Sequence, residues 1–249
     1  MRRASWAKIG GGLAGSRNIP QVDLRALWHT GCETTELLTP MAIADRNTVA
    51  SSPRTSVRPF TRADVDAWQA WPDYEDQLLV GTSPRRMSTE QRSRWFDDIT
   101  RRQRQLPYAV DDESGEMMGR IFLRHVRFEE RTAVLGIDLH PAYLGQGYGT
   151  ESLGAFLEHF FGEMAFERML LSVAAHNMRA RRCYESLGFM TVGSHWDAHV
   201  GPDVTGQPTF ASLRNFFRRG PLGLESLFYD MRLDRTTWCK RKTRSAVSS

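Results

Sequence analysis

Residues 133–150 read Ala-Val-Leu-Gly-Ile-Asp-Leu-His-Pro-Ala-Tyr-Leu-Gly-Gln-Gly-Tyr-Gly-Thr. An apolar run ends at His140-Pro141, and three alternating glycines follow: Gly145, Gly147 and Gly149. Beyond them Leu153, Phe156, Leu157, Phe160 and Phe161 recur at helical spacing. A strand that feeds a glycine loop opening a helix is a device for holding phosphate. Glycine lets the backbone approach closely, and the first free N–H groups of the helix point at the anion. The open question is which phosphate it holds, and for what chemistry.

Two glycine-loop chemistries do not fit. A nucleotide-triphosphate loop needs Lys-Ser or Lys-Thr directly after its last glycine, whereas Thr150-Glu151 follows Gly149. A dinucleotide fold needs G-x-G-x-x-G, with an acid at the end of the next strand to hold ribose. Here the spacing is G-x-G-x-G, and the next strand ends at Ala175-His176. The loop also comes late, after several strands of antiparallel character.

Upstream, Ser56–Phe60 reads as a strand and Thr61 as the cap of a helix carrying Asp64, Val65 and Trp68. Ser88-Thr89-Glu90-Gln91 is a capping box opening a second helix, with Trp95, Phe96 and Ile99 on its apolar side. Tyr108–Val110 and Met117–Val126 flank a turn at 111–116, Gly119 suggests a bulge, and Thr132–Leu139 is the strand before the loop. Downstream, Met169–Ala175 is a strand. Asn177 caps a helix through Ala180, Tyr184 and Leu187 that stops at Gly188. Phe189–Val192 starts a further strand and Leu227–Leu233 is the last. Between them, residues 194–225 form an insertion rich in turn signals, with a short helix over Ala211–Arg219. Residues 1–54 lack periodicity and read as a flexible extension, within which Met41 is an alternative start. Residues 55–236 form the domain, and 237–249, with Lys240-Arg241-Lys242-Thr243-Arg244, a disordered basic tail.

The chain has 249 residues and a formal net charge of +4, and no apolar run approaches the roughly 20 residues that cross a bilayer. Arginine dominates the positive charge, which reads as a solvated basic face. Neither nucleic acid nor a membrane is expected as partner. Cys32, Cys183 and Cys239 show neither a metal pattern nor a disulfide framework, so a reducing, cytoplasmic setting is expected and no metal is implied.

The glycine loop together with Asn177 and the run Cys183-Tyr184-Glu185-Ser186-Leu187-Gly188-Phe189 resembles the GCN5-related N-acetyltransferase (GNAT) superfamily. That family pairs Arg/Gln-x-x-Gly-x-Gly/Ala with a downstream Asn, Tyr and Gly-Phe. The likeness covers the order of elements from about 55 to 233 and is specific in 134–192. It implies an acyl-CoA N-acyltransferase fold of the α/β (α+β) type: a mixed central sheet, helices on both faces, and splayed neighbouring strands holding acetyl-CoA. The pyrophosphate would lie on Gly145, Gln146, Gly147, Tyr148 and Gly149, flanked by Leu144 and Thr150. Leu139 and His140 would adjoin the pantetheine arm, and Arg179 or Arg182 the remaining phosphate. One departure is plain: Leu144 stands at the family's Arg/Gln position, which removes a side-chain contact but leaves the backbone cradle.

The resemblance also implies roles. Tyr184 matches the family tyrosine near the thioester sulfur, where its O–H serves as general acid; packing alone is the alternative. Asn177 is either a cap or a cofactor residue. A backbone N–H near Leu139 meets the thioester oxygen. Asp138 is the best carboxylate for the acceptor amine, with an ordinary salt bridge as alternative; His140 and His176 are weaker candidates. The overall layout is most similar to ribosomal-protein N-terminal acetyltransferases, which implies a peptide α-amine. Gly136-Ile137-Asp138 resembles a segment of aminoglycoside 6′-N-acetyltransferases, which implies a small polyamine or antibiotic. A non-catalytic acyl-CoA sensor is a third reading. Asp73, Glu75 and Asp76 are placed to attract a cationic amine. Trp196, Phe210, Phe216 and Phe217 of the insertion would form a lid or wall, cover apolar surface, or pack a homodimer.

Overall fold

A mixed sheet forms the centre of the molecule. The computed structural model describes residues 48–80, 83–84, 86–101, 104–221 and 223–247; Cys32, Met41 and the first 47 residues of the expected extension lie outside them. Strands β1 (Ala50–Ser51), β2 (Thr55–Pro59), β3 (Leu106–Asp112), β4 (Met117–Arg127) and β5 (Thr132–Leu139) pair antiparallel in chain order. β6 (Arg168–Ala174) joins β5 in parallel, while β7 (Met190–Ala198) and β8 (Phe217–Gly220) pair with β9 (Gly223–Asp234). The sheet order is β1-β2-β3-β4-β5-β6-β9-β7. The expected bulge is present: the β3–β4 register shifts between Val110 and Asp111, opposite Gly119.

Among the described residues, the α-helices are α1 (Arg62–Ala70), α2 (Thr89–Arg101), α3 (Tyr148–Phe161), α4 (Met178–Ser186) and α5 (Arg235–Val247). Their starts follow local chemistry. Ser88 N–H donates to Gln91 Oε1 at 2.9 Å, and Gln91 N–H returns to Ser88 Oγ at 3.3 Å, closing the capping box of α2. Thr61 N–H and Oγ1–H both donate to Asp64 Oδ2, at 2.6 and 2.7 Å, at the start of α1.

The two faces of the sheet bury separate cores. On one, Leu153, Phe156, Leu157, Phe160 and Phe161 of α3 are buried in one cluster with Ile121, Leu123, Ala133 and Leu135. Each such side chain contributes roughly 1.5–3 kcal/mol by leaving water. On the other, Phe60, Val65, Ile99, Ala109 and Phe122 form a cluster joined by Trp95 of α2. Between these layers β5 and β6 are paired only from Thr132↔Arg168 to Val134↔Leu170. Past that point the two strands part, and the gap they leave positions the site.

Three boundaries differ from the sequence reading. Order begins before Thr55, because β1 pairs with β2 and Ser52 and Arg54 dock on α3. The insertion is shorter than 194–225. β7 continues to Ala198 past a register shift at Thr191/Gly193, and β9 starts at Gly223. The expected helix over Ala211–Arg219 is instead a 3₁₀ segment, Pro208–Phe216, followed by β8, which pairs with β9 as a tight hairpin. Finally, the basic stretch expected as a disordered tail is helix α5. Trp238 is buried against Phe161, with ring centroids 6.4 Å apart, and Lys242 pairs with Glu158 at 2.6 Å, so one aromatic anchor holds a polar helix in place.

Candidate active site

A cleft of about 380 Å³ opens where β5 and β6 diverge. Asp138, Leu139, Leu144, Gly145, Gly147, Gly149 and Thr150 line one wall, and Asn177, Arg179, Arg182, Cys183 and Tyr184 the other. Eleven of the fourteen residues expected at the site therefore share one cavity, counting Asn177, Arg179, Arg182 and Tyr184 from α4 and its cap. His140, Gln146 and Tyr148 stand just behind. His140 Nδ1 accepts from Ala142 N–H at 3.1 Å and its ring meets the edge of Trp71. Gln146 donates to the Ala142 carbonyl. Tyr148 packs edge-on against Tyr143, with centroids 5.2 Å apart.

The loop has the geometry that its glycines demand. Gly145 and Gly147 sit at φ +76° and +87°, in the left-handed region that side chains disfavour. Thr150 and Glu151 N–H groups both return to the Gly147 carbonyl at 3.0 Å. The amides before them have no acceptor within the helix, and the positive end of α3 faces the same spot.

Strand register decides where the β5 backbone points. His140 N–H bonds Met118 O at 2.8 Å, and Arg120 faces Asp138. In an antiparallel pair the hydrogen-bonded residues alternate. Ile137 and Leu139 therefore turn their backbone groups away from β4, into the gap. Tyr74 O–H already donates to the Leu139 carbonyl at 2.6 Å, which leaves the Leu139 N–H as the donor in the cleft.

Tyr184 is 9% exposed and lines the cleft opposite this strand. Burial, with smaller contributions from Cys183 and Asp138, holds its phenol well above the ordinary value, so it keeps its proton at any working pH. Asp138 is not a free carboxylate. Arg120 Nε and Nη2 both contact Asp138 Oδ2, at 2.8 and 2.6 Å. Arg120 in turn lies 3.7 Å from the centre of the Trp68 ring and 4.8 Å from that of Phe122. Asn177 caps α4, its Oδ1 accepting from Ala180 N–H at 3.1 Å, and the residue also lines the cleft. Of the acids expected to attract an amine, Asp73 lies 3.4 Å from Arg86 and Asp76 lies 3.5 Å from Arg179.

Sequence reading missed Arg54. Its guanidinium lies over the Tyr148 ring at 4.2 Å, pairs with Glu151 at 2.6 Å, and comes within 3.5 Å of where a Cβ on Gly147 would be. It thus offsets the one acid in the first turn of α3 and brings a cation to the loop from a segment 97 residues away. It missed Tyr74 and Arg120 for the same reason: partners distant in the chain leave no local pattern.

His176, a candidate base, is 7% exposed and stacks on Phe217 of the insertion at 5.1 Å, and its Nδ1 has no partner among the described residues. Burial first, then His199, pulls its imidazole down to about 4, against an opposing pull from Asp76. In an unfolded chain the ring titrates near 6.5. Between those values the unfolded state takes up the proton and the folded state does not. Stability is therefore full above pH ~6.5 and falls as the pH drops towards 4, by at most about 3 kcal/mol. His176→Gln is expected to flatten that slope, as read from urea unfolding at pH 7 and at pH 4.5. An unchanged slope would assign the acid sensitivity to another group.

A family model described as "Acetyltransferase (GNAT) domain" matches residues 54–190, more than half of the chain. A curated relative, the spermidine N(1)-acetyltransferase of Vibrio cholerae, is 26% identical over 86 residues, which is 34% of this chain and 50% of that protein. The match thus spans half the length of that relative. Among solved structures, the spermidine N-acetyltransferase of Vibrio cholerae in complex with CoA and spermine superposes with a TM-score of 0.60 at 15% identity, over 76% of this chain and 99% of that one. The spermidine/spermine N-acetyltransferase of the same organism in complex with manganese ions gives 0.55 at 17% identity, over 76% and 96%. At such identities these likenesses establish the fold.

Proposed function

This chain belongs to the GNAT acetyltransferase family, and from that premise we propose that it transfers an acetyl group from acetyl-CoA to a primary amine. The observation that carries the reading is the cleft: a glycine loop at a helix N-terminus and a buried, protonated tyrosine line opposite walls of the gap between two splayed strands. Acetyl-CoA, when bound, supplies the reactive thioester. The free amides of 145–149 hold a diphosphate, and Arg54 and Arg182 add charge beside it. The Leu139 N–H is placed to donate to a carbonyl oxygen lying in the gap. Tyr184 donates its proton to a leaving thiolate. Arg120 takes Asp138 Oδ2, so Oδ1 remains to accept from the attacking amine and orient it.

Two acceptor classes stay within this reading. A peptide α-amine, with an ordinary pKa near 8, gives up its proton to water more readily than an alkylamine near 10, and so demands less of a base. A polyamine is the acceptor in the names of those relatives, and Glu75 of the α1–α2 connection supports it. Calorimetric titration with CoA, followed by thiol release from acetyl-CoA with a panel of peptides and amines, tests the proposal. Saturable CoA binding and amine-dependent release are expected. Binding without turnover on any amine would replace the enzyme by an acyl-CoA sensor, and absence of binding would remove both.

A further inference from the structure

The face of β4 and β5 that carries Asp138 holds more positive charge than negative. Arg120 faces Asp138 across the two strands. Arg124, four residues along β4, lies across Gly136, where a Cβ would come within 2.5 Å of Nη2. Gly136 is therefore the place where a second guanidinium rests beside the first ion pair. Among the described residues Asp138 is the carboxylate set against this pair of guanidinia, and Arg120 already holds its Oδ2. Arg120 is 6% exposed, and its Nη1 is buried with no partner among the described residues. Arg124 is half-buried, and its side chain makes no ion pair or hydrogen bond among the described residues. A guanidinium taken from water without a partner is costly. Arg120 has Asp138 as its partner, whereas Arg124 has none among the described residues and keeps its N–H groups to give.

We infer that the acceptor carries an anionic group as well as its amine, and that Arg124 holds that group. A planar fork of donors suits a carboxylate. The amine has to reach the strand end at Leu139, three residues from Gly136, so amine and carboxylate stand about 10 Å apart. The substrate class is thus a zwitterionic amine of short-peptide reach, and a polycation is disfavoured because it would bring its second charge against two arginines. This rests on the acetyltransferase reading above.

A matched set of acceptors tests it: 6-aminohexanoate, 6-aminohexanamide and hexane-1,6-diamine, with saturating acetyl-CoA. In the wild type kcat/KM for the acid is expected to exceed that for the amide and the diamine by about tenfold or more, as for a charge-assisted hydrogen bond. Arg124→Gln is expected to bring the acid down to the amide's level, mainly through KM, with CoA affinity and turnover of the amide unchanged. Arg124→Lys should keep part of the preference. Gly136→Ala, which displaces the guanidinium without removing its charge, should lose it. Equal use of acid and amide, preference for the diamine, or equal losses on all three in Arg124→Gln would overturn the anion site while leaving the enzyme an acetyltransferase. Failure to bind CoA, or to acetylate any of the three, would overturn the parent reading and this one together.

Discussion

Tyr184→Phe is expected to lower kcat by about a hundredfold, while acetyl-CoA affinity and the folded structure stay as they were. General acid catalysis contributes factors of 10²–10⁴, and a thiolate leaves less urgently than an amine would, so the lower end applies. The substitution removes one oxygen from a residue that is 9% exposed, keeping the ring and its edge contact with Phe189, at 5.8 Å between centroids. Among the described residues no hydrogen bond to the phenol would be lost, so stability should change by less than about 1 kcal/mol. The role makes a pH argument as well. Because burial holds the phenol in its protonated form, any loss of activity at high pH should come from other groups and should persist in Tyr184→Phe. Single-turnover rates with a fixed amine, beside calorimetry with CoA, separate the chemical step from binding. A variant that turns over at the wild-type rate would reduce Tyr184 to a packing residue. Equal losses in rate and in affinity would show that it shapes the cleft rather than supplies a proton.

What could be read beforehand, and what could not, follows from the range of the interactions. The β5 boundaries, the stripe of α3 and the Asn177 cap are periodic or local, and each was legible in a window of a dozen residues. So were most of the cleft residues, because β5, the loop and α3 are consecutive, and the opposing wall starts at a capped helix. The edges of the fold were not. β7 passes through a bulge at Gly193, and its later residues, Ser194, His195 and Asp197, look like a loop until His195 meets Asp230 at 3.2 Å. α5 carries one buried aromatic on an otherwise charged helix, too sparse a signal to distinguish from a tail. Arg54, Arg120 and Arg124 each looked like one more surface arginine. Only the fold shows that the first lies by the glycine loop and that the other two share a largely buried face with Asp138. Charge state at the site is thus a tertiary property here, although the backbone cradle is a sequence property.

The second large effect is expected at Gly147. Replacing it with valine should weaken CoA binding by a factor of several hundred or more, with turnover at subsaturating acetyl-CoA falling in proportion. Two costs combine. At φ +87° a side chain meets the carbonyl beside it, at about 1–2 kcal/mol for an ordinary residue and more for a β-branched one. The added bulk would then press toward Arg54, whose nearest nitrogen is 3.5 Å from the Cβ position, and toward the surface where the loop amides face an anion. Losing one or two charge-assisted hydrogen bonds there is worth about 1.5–3 kcal/mol each. Gly145 supplies the control. It also has a positive φ, +76°, but no heavy atom lies within 4 Å of its Cβ position. Gly145→Ala should therefore pay the backbone cost alone and weaken CoA about tenfold. Calorimetry with CoA on both variants, after confirming their melting points, gives the comparison. If both bound CoA as the wild type does, the loop would not be a phosphate cradle, and the cleft would have to hold its ligand by other groups.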